Sequence, residues 1–422
     1  MRIALEYIRF SGGFYYRREY DVQNIHGFNV TGDTINAFYP PTKVIESDLR
    51  FNANGGIDKM AVEGKGPQES DAGSFGLKYD ETEDMLSEEE DNNCVIQKFL
   101  NVDIKIEAYP YITTHSENPL KSTSEMNFEY ENPASLWAVI ENYRYVRNFF
   151  MYVCYRSEIV FKDTLVYWVN DDGRRDYAGR LIWKTDLDTD DNLSEDEKKK
   201  QKECIIKYDL LREHTADLFN IIGDELLSYD HLVPNIQKRS SYPISRFITV
   251  LTAFEREYRN IYHKDSLRSP AYRNFKERIV ESLNEQLNNY HRDERRWFKN
   301  IIKGISNRDD SYKNRFQNAL INNMNVMRIF LDSNYSEDDG TIEAISTRVG
   351  GMRNDLAHNN IDMEILPINL SDINIVEKLL YCIRLRNIGL SVFETQKAIA
   401  ALFGDRSILY KLENEESGEA ES

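Results

Sequence analysis

The chain has 422 residues, 41% of them hydrophobic and 12% aromatic, enough apolar material for two or three cores, which excludes a globally disordered protein. Its formal charge of −18 excludes a general nucleic-acid coat protein, because phosphate binding needs positive charge where the backbone lies. The four cysteines, Cys94, Cys154, Cys204 and Cys382, are far apart and without metal-ligand spacing, the pattern of a reduced cytosolic protein with buried thiols.

Met1 to Phe10 has neither a long apolar core nor a cleavage-site pattern. No run approaches the ~20 apolar residues of a membrane helix. A cytoplasmic protein with no membrane segment is the expectation. The first half reads mainly as strands, from period-2 alternation at Ile3, Leu5 and Tyr7, at Val102, Ile104, Ile106 and Ala108, and at Leu165, Tyr167 and Val169. One helix interrupts them. Leu136, Ile140, Tyr143, Arg144 and Arg147 stand at helical spacing, with Pro133 and Ser135 as its start. Acidic stretches at 80–91 and 186–203 read as solvated loops or short exposed helices, and Gly64 to Pro67 as a turn without a phosphate-loop pattern.

From about residue 205 the period changes to 3.6. Four stripes read as buried helix faces: Phe247, Val250, Leu251, Phe254, Tyr258 and Ile261; Phe275, Ile279, Leu283 and Leu287; Phe316, Leu320, Met324 and Met327; and Ile375, Leu379 and Ile383. The fold class is therefore α+β, with a β-rich region over 1–204, a helical domain over 205–413 and an acidic tail over 414–422. Charge is uneven along it. Residues 235–330 hold 19 Lys or Arg against 10 Asp or Glu, a balance of +9. Within them Arg292, Arg295, Arg296, Lys299 and Lys303 cluster on one helix with Trp297, either as a solvated face or as a contact for an RNA backbone.

Asp186-Leu187-Asp188-Thr189-Asp190-Asp191, with Glu197 at the twelfth place, imitates a calcium loop. Asp191 stands where the turn needs Gly, and Leu181 to Trp183 reads as a strand, so an acidic surface loop is expected. His263 and His291 have no ligand partner at metal spacing. No metal or cofactor is expected. Glu255 faces Arg259 one turn on, which reads as a helix ion pair.

The chemistry-bearing motif is Arg353-Asn354-Asp355-Leu356-Ala357-His358, preceded by Gly350 and Gly351. A helix puts Asn354 and His358 on one face, with Arg353 beside them. His suits proton transfer near neutral pH, and the Arg fork matches phosphate oxygens. These are the needs of metal-free RNA cleavage, in which the ribose 2′-OH attacks the adjacent phosphorus. One motif supplies one His, whereas the reaction moves two protons, a physical reason to expect a homodimer.

The order of elements resembles the HEPN superfamily, and more closely its ApeA-like branch of anti-phage defence proteins. The resemblance rests on a long helix from Phe247 to Tyr262 containing Ala253-Phe254-Glu255, several amphipathic helices, Arg-Asn-x-x-x-His, and a final apolar helix from Ile373 to Val392. Leu136 to Trp168 is similar, more weakly, to the helix and strands of the ApeA N-terminal domain. Asp362 stands where HEPN toxins with a nucleotidyltransferase antitoxin have Tyr, which sets the chain apart from that subgroup. The resemblance implies an endoribonuclease with Arg353, Asn354 and His358 as catalytic residues. Arg292, Arg295, Arg296 and Lys299 would contact the RNA, transfer RNA being one expected substrate. The N-terminal domain would sense a trigger, such as a phage product, or restrain the nuclease. The alternative is a catalytically silent HEPN fold serving as a binding or scaffold module.

Overall fold

The computed structural model describes residues 2–4, 8–12, 24–41, 46–51, 57–63, 94–95, 102–112, 120–170, 173–183, 193–212, 214–262, 270–307, 311–335, 341–358 and 365–419. Leu5, Tyr7, the turn at 64–67, the acidic stretch 80–91, the Asp186–Asp191 run, His263 and Asp362 lie outside them. The protein is α+β and divides into two compact units. One is Met1–Glu225 with Leu232–Arg239, the other Leu226–His231 with Ser240–Ser422.

The first unit is built on an antiparallel sheet. In chain order its strands are β1 (Arg2–Ala4), β2 (Ile8–Gly12), β3 (Ile25–Thr31), β6 (Cys94–Val95), β7 (Val102–Ile112), β8 (Leu120–Ala134), β9 (Asp163–Val169) and β10 (Arg175–Trp183). They lie in the order β1-β2-β10-β9-β3-β8-β7-β6, while β4 (Glu46–Phe51) and β5 (Ile57–Glu63) pair separately. Between β3 and β4 comes the short helix α1 (Asp33–Phe38), and after β8 the long α2 (Leu136–Cys154). Ser135 caps α2 as its sequence suggests, its hydroxyl accepting from the Ala138 N–H at 3.3 Å. Phe28, Val30, Met126 and Phe128 bury the sheet face. Phe149 of α2 stacks on Phe219 with centroids 4.3 Å apart.

β9 corrects the sequence reading in phase. Thr164, Val166, Tyr167 and Trp168 are buried, whereas Leu165 and Val169 are only half-buried, so one residue of the expected set is buried and two are not. Apolar residues occupy both parities of this strand, so alternation finds the strand without choosing its face. After β10 come α3 (Glu195–Glu203), α4 (Tyr208–Leu211) and α5 (His214–Gly223). These belong to the unit of the sheet, so the division by packing falls at Glu225 and not at the change of period near 205. Leu218, Phe219 and Ile222 of α5 bury into it. Ser194 and Glu197 form a capping box on α3, with Glu197 accepting from the Ser194 N–H at 2.8 Å. The carboxylate at the twelfth place of the calcium-like spacing thus caps a helix.

The second unit is helical: α6 (Ile244–Ile261), α7 (Pro270–Gln286), α8 (Arg292–Asn307), α9 (Tyr312–Asn322), α10 (Met324–Asn334), α11 (Ile342–Ala357), α12 (Pro367–Asn387), α13 (Val392–Phe403) and α14 (Arg406–Glu419). α12 is the central helix, packed against α6, α10, α11 and α13. From Asp372 to Leu385 it is buried on nearly every side, so its acids and bases there need partners inside the protein. Glu377 bonds Arg246 at 2.9 Å, Asp372 receives two bonds from Arg348 at 2.7 and 2.8 Å, and Lys378 reaches Asp405 at 2.8 Å. Arg384 donates to Glu257 of α6. Burial raises the Glu257 carboxyl above its usual range, outweighing the Arg384 charge that pulls it down.

Three sequence expectations change here. The expected final helix over Ile373–Val392 begins at Pro367, whose fixed φ suits a first helical position, and ends at Asn387. Two more helices follow. The expected acidic tail from 414 is helical through Glu419, as its glutamates, good helix formers, allow. The stripe Phe275, Ile279, Leu283 and Leu287 is not buried: Phe275 is 51% exposed, Ile279 36%, and the two leucines are half-exposed. α7 packs on α8.

Candidate active site on the helical unit

The motif falls on the last two turns of α11. Thr341 starts this helix, its hydroxyl accepting from the Ala344 N–H at 3.2 Å. The helix runs unbroken through Gly350 and Gly351. These glycines differ. A Cβ at Gly350 would stand 3.0 Å from Lys313 Cβ on α9, whereas one at Gly351 would meet nothing within 4 Å. Gly350 thus allows a close approach of α11 to α9 within the chain.

Arg353 is half-buried, and Asn354 and His358 are exposed. His358 caps the helix, its backbone N–H donating to the carbonyls of Asn354 at 3.1 Å and Asp355 at 3.2 Å. The one-turn relation between Asn354 and His358 holds. Among the described residues, neither side chain hydrogen-bonds to the other or to a third group.

Arg353 has an anchor. Its Nη2 donates to Oε2 of Glu255 on α6 at 3.4 Å. The same carboxylate receives Arg315 of α9 at 2.6 Å and Arg259 of α6 at 2.7 Å. Arg315 is 7% exposed, Arg353 39% and Arg259 57%. Burial raises the Glu255 carboxyl, but the hydrogen bond and charge of Arg315, with the charges of Arg259 and Arg353, outweigh it and hold it below its usual range. Beneath lies Tyr312, fully buried, whose hydroxyl donates to the Leu251 carbonyl at 3.1 Å. Its pKa is driven well above that of an ordinary phenol, first by burial and then by Glu255. Three guanidinium groups share one carboxylate, leaving an excess of two positive charges within this cluster.

The expected Glu255–Arg259 ion pair is present, but it is one side of a larger cluster. Sequence reasoning missed Arg315 and the link from Glu255 to Arg353. Helical spacing connects residues one turn apart, and these partners come from three helices. The available signal was Glu255 itself, an acid inside the most basic stretch of the chain.

Arg292, Arg295, Arg296 and Lys299 are exposed on α8. Arg295 Nη2 bonds Asn288 Oδ1 at 3.0 Å. Around the helix these cations and Lys303 share one side, with Trp297 and Ile301 on the other and Phe298 and Ile302 along the flank next to Arg295. Phe298 stacks against Tyr290 at 4.6 Å and Ile302 is buried, while Trp297 is 65% exposed and Ile301 55%. No hydrogen bond or ion pair among the described residues joins this group to Arg353, Asn354 or His358.

Among the described residues, no three His, Cys, Asp or Glu side chains gather as a metal site, and no helix is long and apolar enough to cross a membrane. Comparison with protein-family models, with curated proteins and with solved structures gives no match.

Proposed function

We propose that the helical unit is a HEPN-type endoribonuclease and that the chain acts in the cytoplasm as an ApeA-like defence or toxin-like effector. The observation that carries this reading is the pairing of a half-buried Arg353, oriented by Glu255, with a solvent-facing His358 at the end of the same helix. The guanidinium would stabilise charge on the phosphorane, and His358 would move a proton at the 2′-oxygen or the leaving 5′-oxygen. Asn354, exposed between them, would bond a phosphate oxygen. The products would be a 2′,3′-cyclic phosphate and a 5′-OH, with no metal required. Transfer or messenger RNA is the substrate class, α8 the approach surface for its backbone, and a homodimer the working form. The sheet unit would receive the trigger.

The test is incubation of the purified full chain with labelled transfer RNA and messenger RNA in EDTA, beside a His358→Ala control. Cleavage should fall by at least ~100-fold in the variant. Its denaturation midpoint should not move, because exposed positions rarely shift stability by more than about 0.5 kcal/mol. Cleavage that requires Mg²⁺, or that persists in the variant, defeats the mechanism.

One observation favours a second reading, a silent RNA-binding HEPN fold: the His358 ring has no hydrogen bond to fix its orientation among the described residues. That reading predicts RNA binding of equal strength in wild type and His358→Ala, with cleavage by neither.

A further inference from the structure

The sheet unit holds a cavity of about 210 Å³ between α1, α3 and the residues that follow α2. Its lining includes Asp33, Thr34, Arg156, Lys198, Gln201 and Lys202. Arg156 is 4% exposed. A buried guanidinium is expensive unless a carboxylate or another anion faces it. No carboxylate among the described residues pairs with Arg156. Its side-chain partner is the Cys154 thiol, which burial raises above its ordinary pKa against the pull of Arg156. The thiol thus stays protonated and brings no compensating charge.

The other cations of the lining are paired. Lys202 pairs with Asp33 at 3.2 Å, and Lys198 bonds Glu195 at 2.9 Å on the exposed side of α3. Each lysine of the lining thus has a carboxylate, and the guanidinium of Arg156 has none among the described residues. Thr34 and Gln201 supply neutral hydrogen-bonding groups.

We propose that this cavity binds a phosphate group, with the Arg156 guanidinium as its main partner and Lys198 and Lys202 at its edge. The fork of an arginine matches two phosphate oxygens, and the guanidinium brings a buried positive charge that no carboxylate among the described residues meets. The cavity is smaller than the ~300 Å³ at which drug-sized pockets begin, so the group that enters it is compact. Inorganic phosphate and the terminal phosphate of a nucleotide share this chemistry. The site lies wholly in the sheet unit and does not depend on the ribonuclease reading.

The experiment is isothermal titration calorimetry of the full chain with inorganic phosphate and, separately, with a nucleoside 5′-monophosphate. Sodium acetate at matched ionic strength is the control. Saturable binding of one phosphate per chain is expected, with no saturable heat from acetate. Lys202→Ala, on the surface of α3, should weaken binding about tenfold, the loss of one charge-assisted hydrogen bond. Arg156→Gln should abolish it. If that variant fails to fold by circular dichroism, Lys202→Ala alone decides. Tighter binding of the nucleotide identifies a terminal phosphate as the ligand, and equal binding identifies the free ion. Absence of saturable binding to either, equal binding of acetate, or an unchanged Lys202→Ala overturns the proposal.

Discussion

Glu255 carries three arginines of unequal need. Arg315 is buried and has no room to find water, whereas Arg353 and Arg259 are partly solvated. Glu255→Gln should therefore act twice. It should cost about 2 kcal/mol of stability, through the charge left inside at Arg315, and it should lower cleavage by releasing Arg353 from its anchor. Denaturant unfolding measures the first and single-turnover cleavage the second. A variant of lower stability but full activity would show that Arg353 needs no positioning. His231 gives a second residue-scale expectation. It is fully buried, and burial, with the charge of Arg246, pushes its pKa down from 6.5 to about 3. The folded protein therefore keeps it neutral at pH values where the unfolded chain protonates it. Stability should fall as pH drops from 6.5 towards 3, by up to about 1.4 kcal/mol per unit from this residue. The raised carboxyl of Glu257 acts in the opposite sense, taking up its proton more readily in the fold than in the unfolded chain. His231→Gln isolates the histidine: unfolding midpoints measured across pH 4–7 should vary less steeply in the variant, and a parallel curve would count against the assignment.

At the scale of elements, what the sequence made legible was periodicity. Phe247, Val250, Leu251, Phe254 and Tyr258 bury one face of α6, and Ile375, Leu379 and Ile383 lie within α12, as their spacing requires. Periodicity does not say whether a face finds a partner. Phe275 and Ile279 have the spacing of a buried stripe and stay exposed, because the packing of α7 is with α8. It does not locate breaks either. The stripe from Phe316 to Met327 crosses from α9 to α10 at Asn323. The motif on α11 was legible because its members are local, whereas the Glu255 cluster needs three helices to meet. The cationic side of α8 is the element-scale test of RNA contact. Arg292, Arg295 and Arg296 replaced by Glu should weaken RNA binding and reduce the salt slope by roughly two to three counterions, as log K varies with log salt. Titration by fluorescence anisotropy across a range of salt measures it. An unchanged slope would return α8 to a solvated face, and a variant with Trp297→Ala alone would then ask whether its exposed apolar side serves another contact.

For the whole molecule, the proposed ribonuclease chemistry predicts an assembly from its count of proton-transfer groups. Each chain presents one His358, and cyclising cleavage needs a base at the 2′-OH and an acid at the 5′-oxygen. Among the described residues the acid bonded to Arg353 is Glu255, and three arginines hold its carboxyl below the usual range, so it is unsuited to donate a proton. Two copies related by a twofold axis would supply both histidines and two Arg353 guanidinium groups, and twofold dimers are the commonest homo-oligomers. Gly350 is already committed to Lys313, so it offers no surface for the second copy. Gly351, open to solvent on the next position of α11, is where another backbone can approach. The expected interface is therefore the exposed face of α11 that carries Gly351, Asn354 and His358. Wild type and His358→Ala mixed in equal amounts, unfolded together and refolded, should give about a quarter of the wild-type activity per total chain, because only one dimer in four keeps both histidines. About half the activity would place a complete site within each chain. Gly351→Arg supplies the complementary measurement. With open space around its Cβ position it should fold normally, yet sediment as a monomer and lose cleavage; a Gly351→Arg protein that remains dimeric would move the interface away from α11.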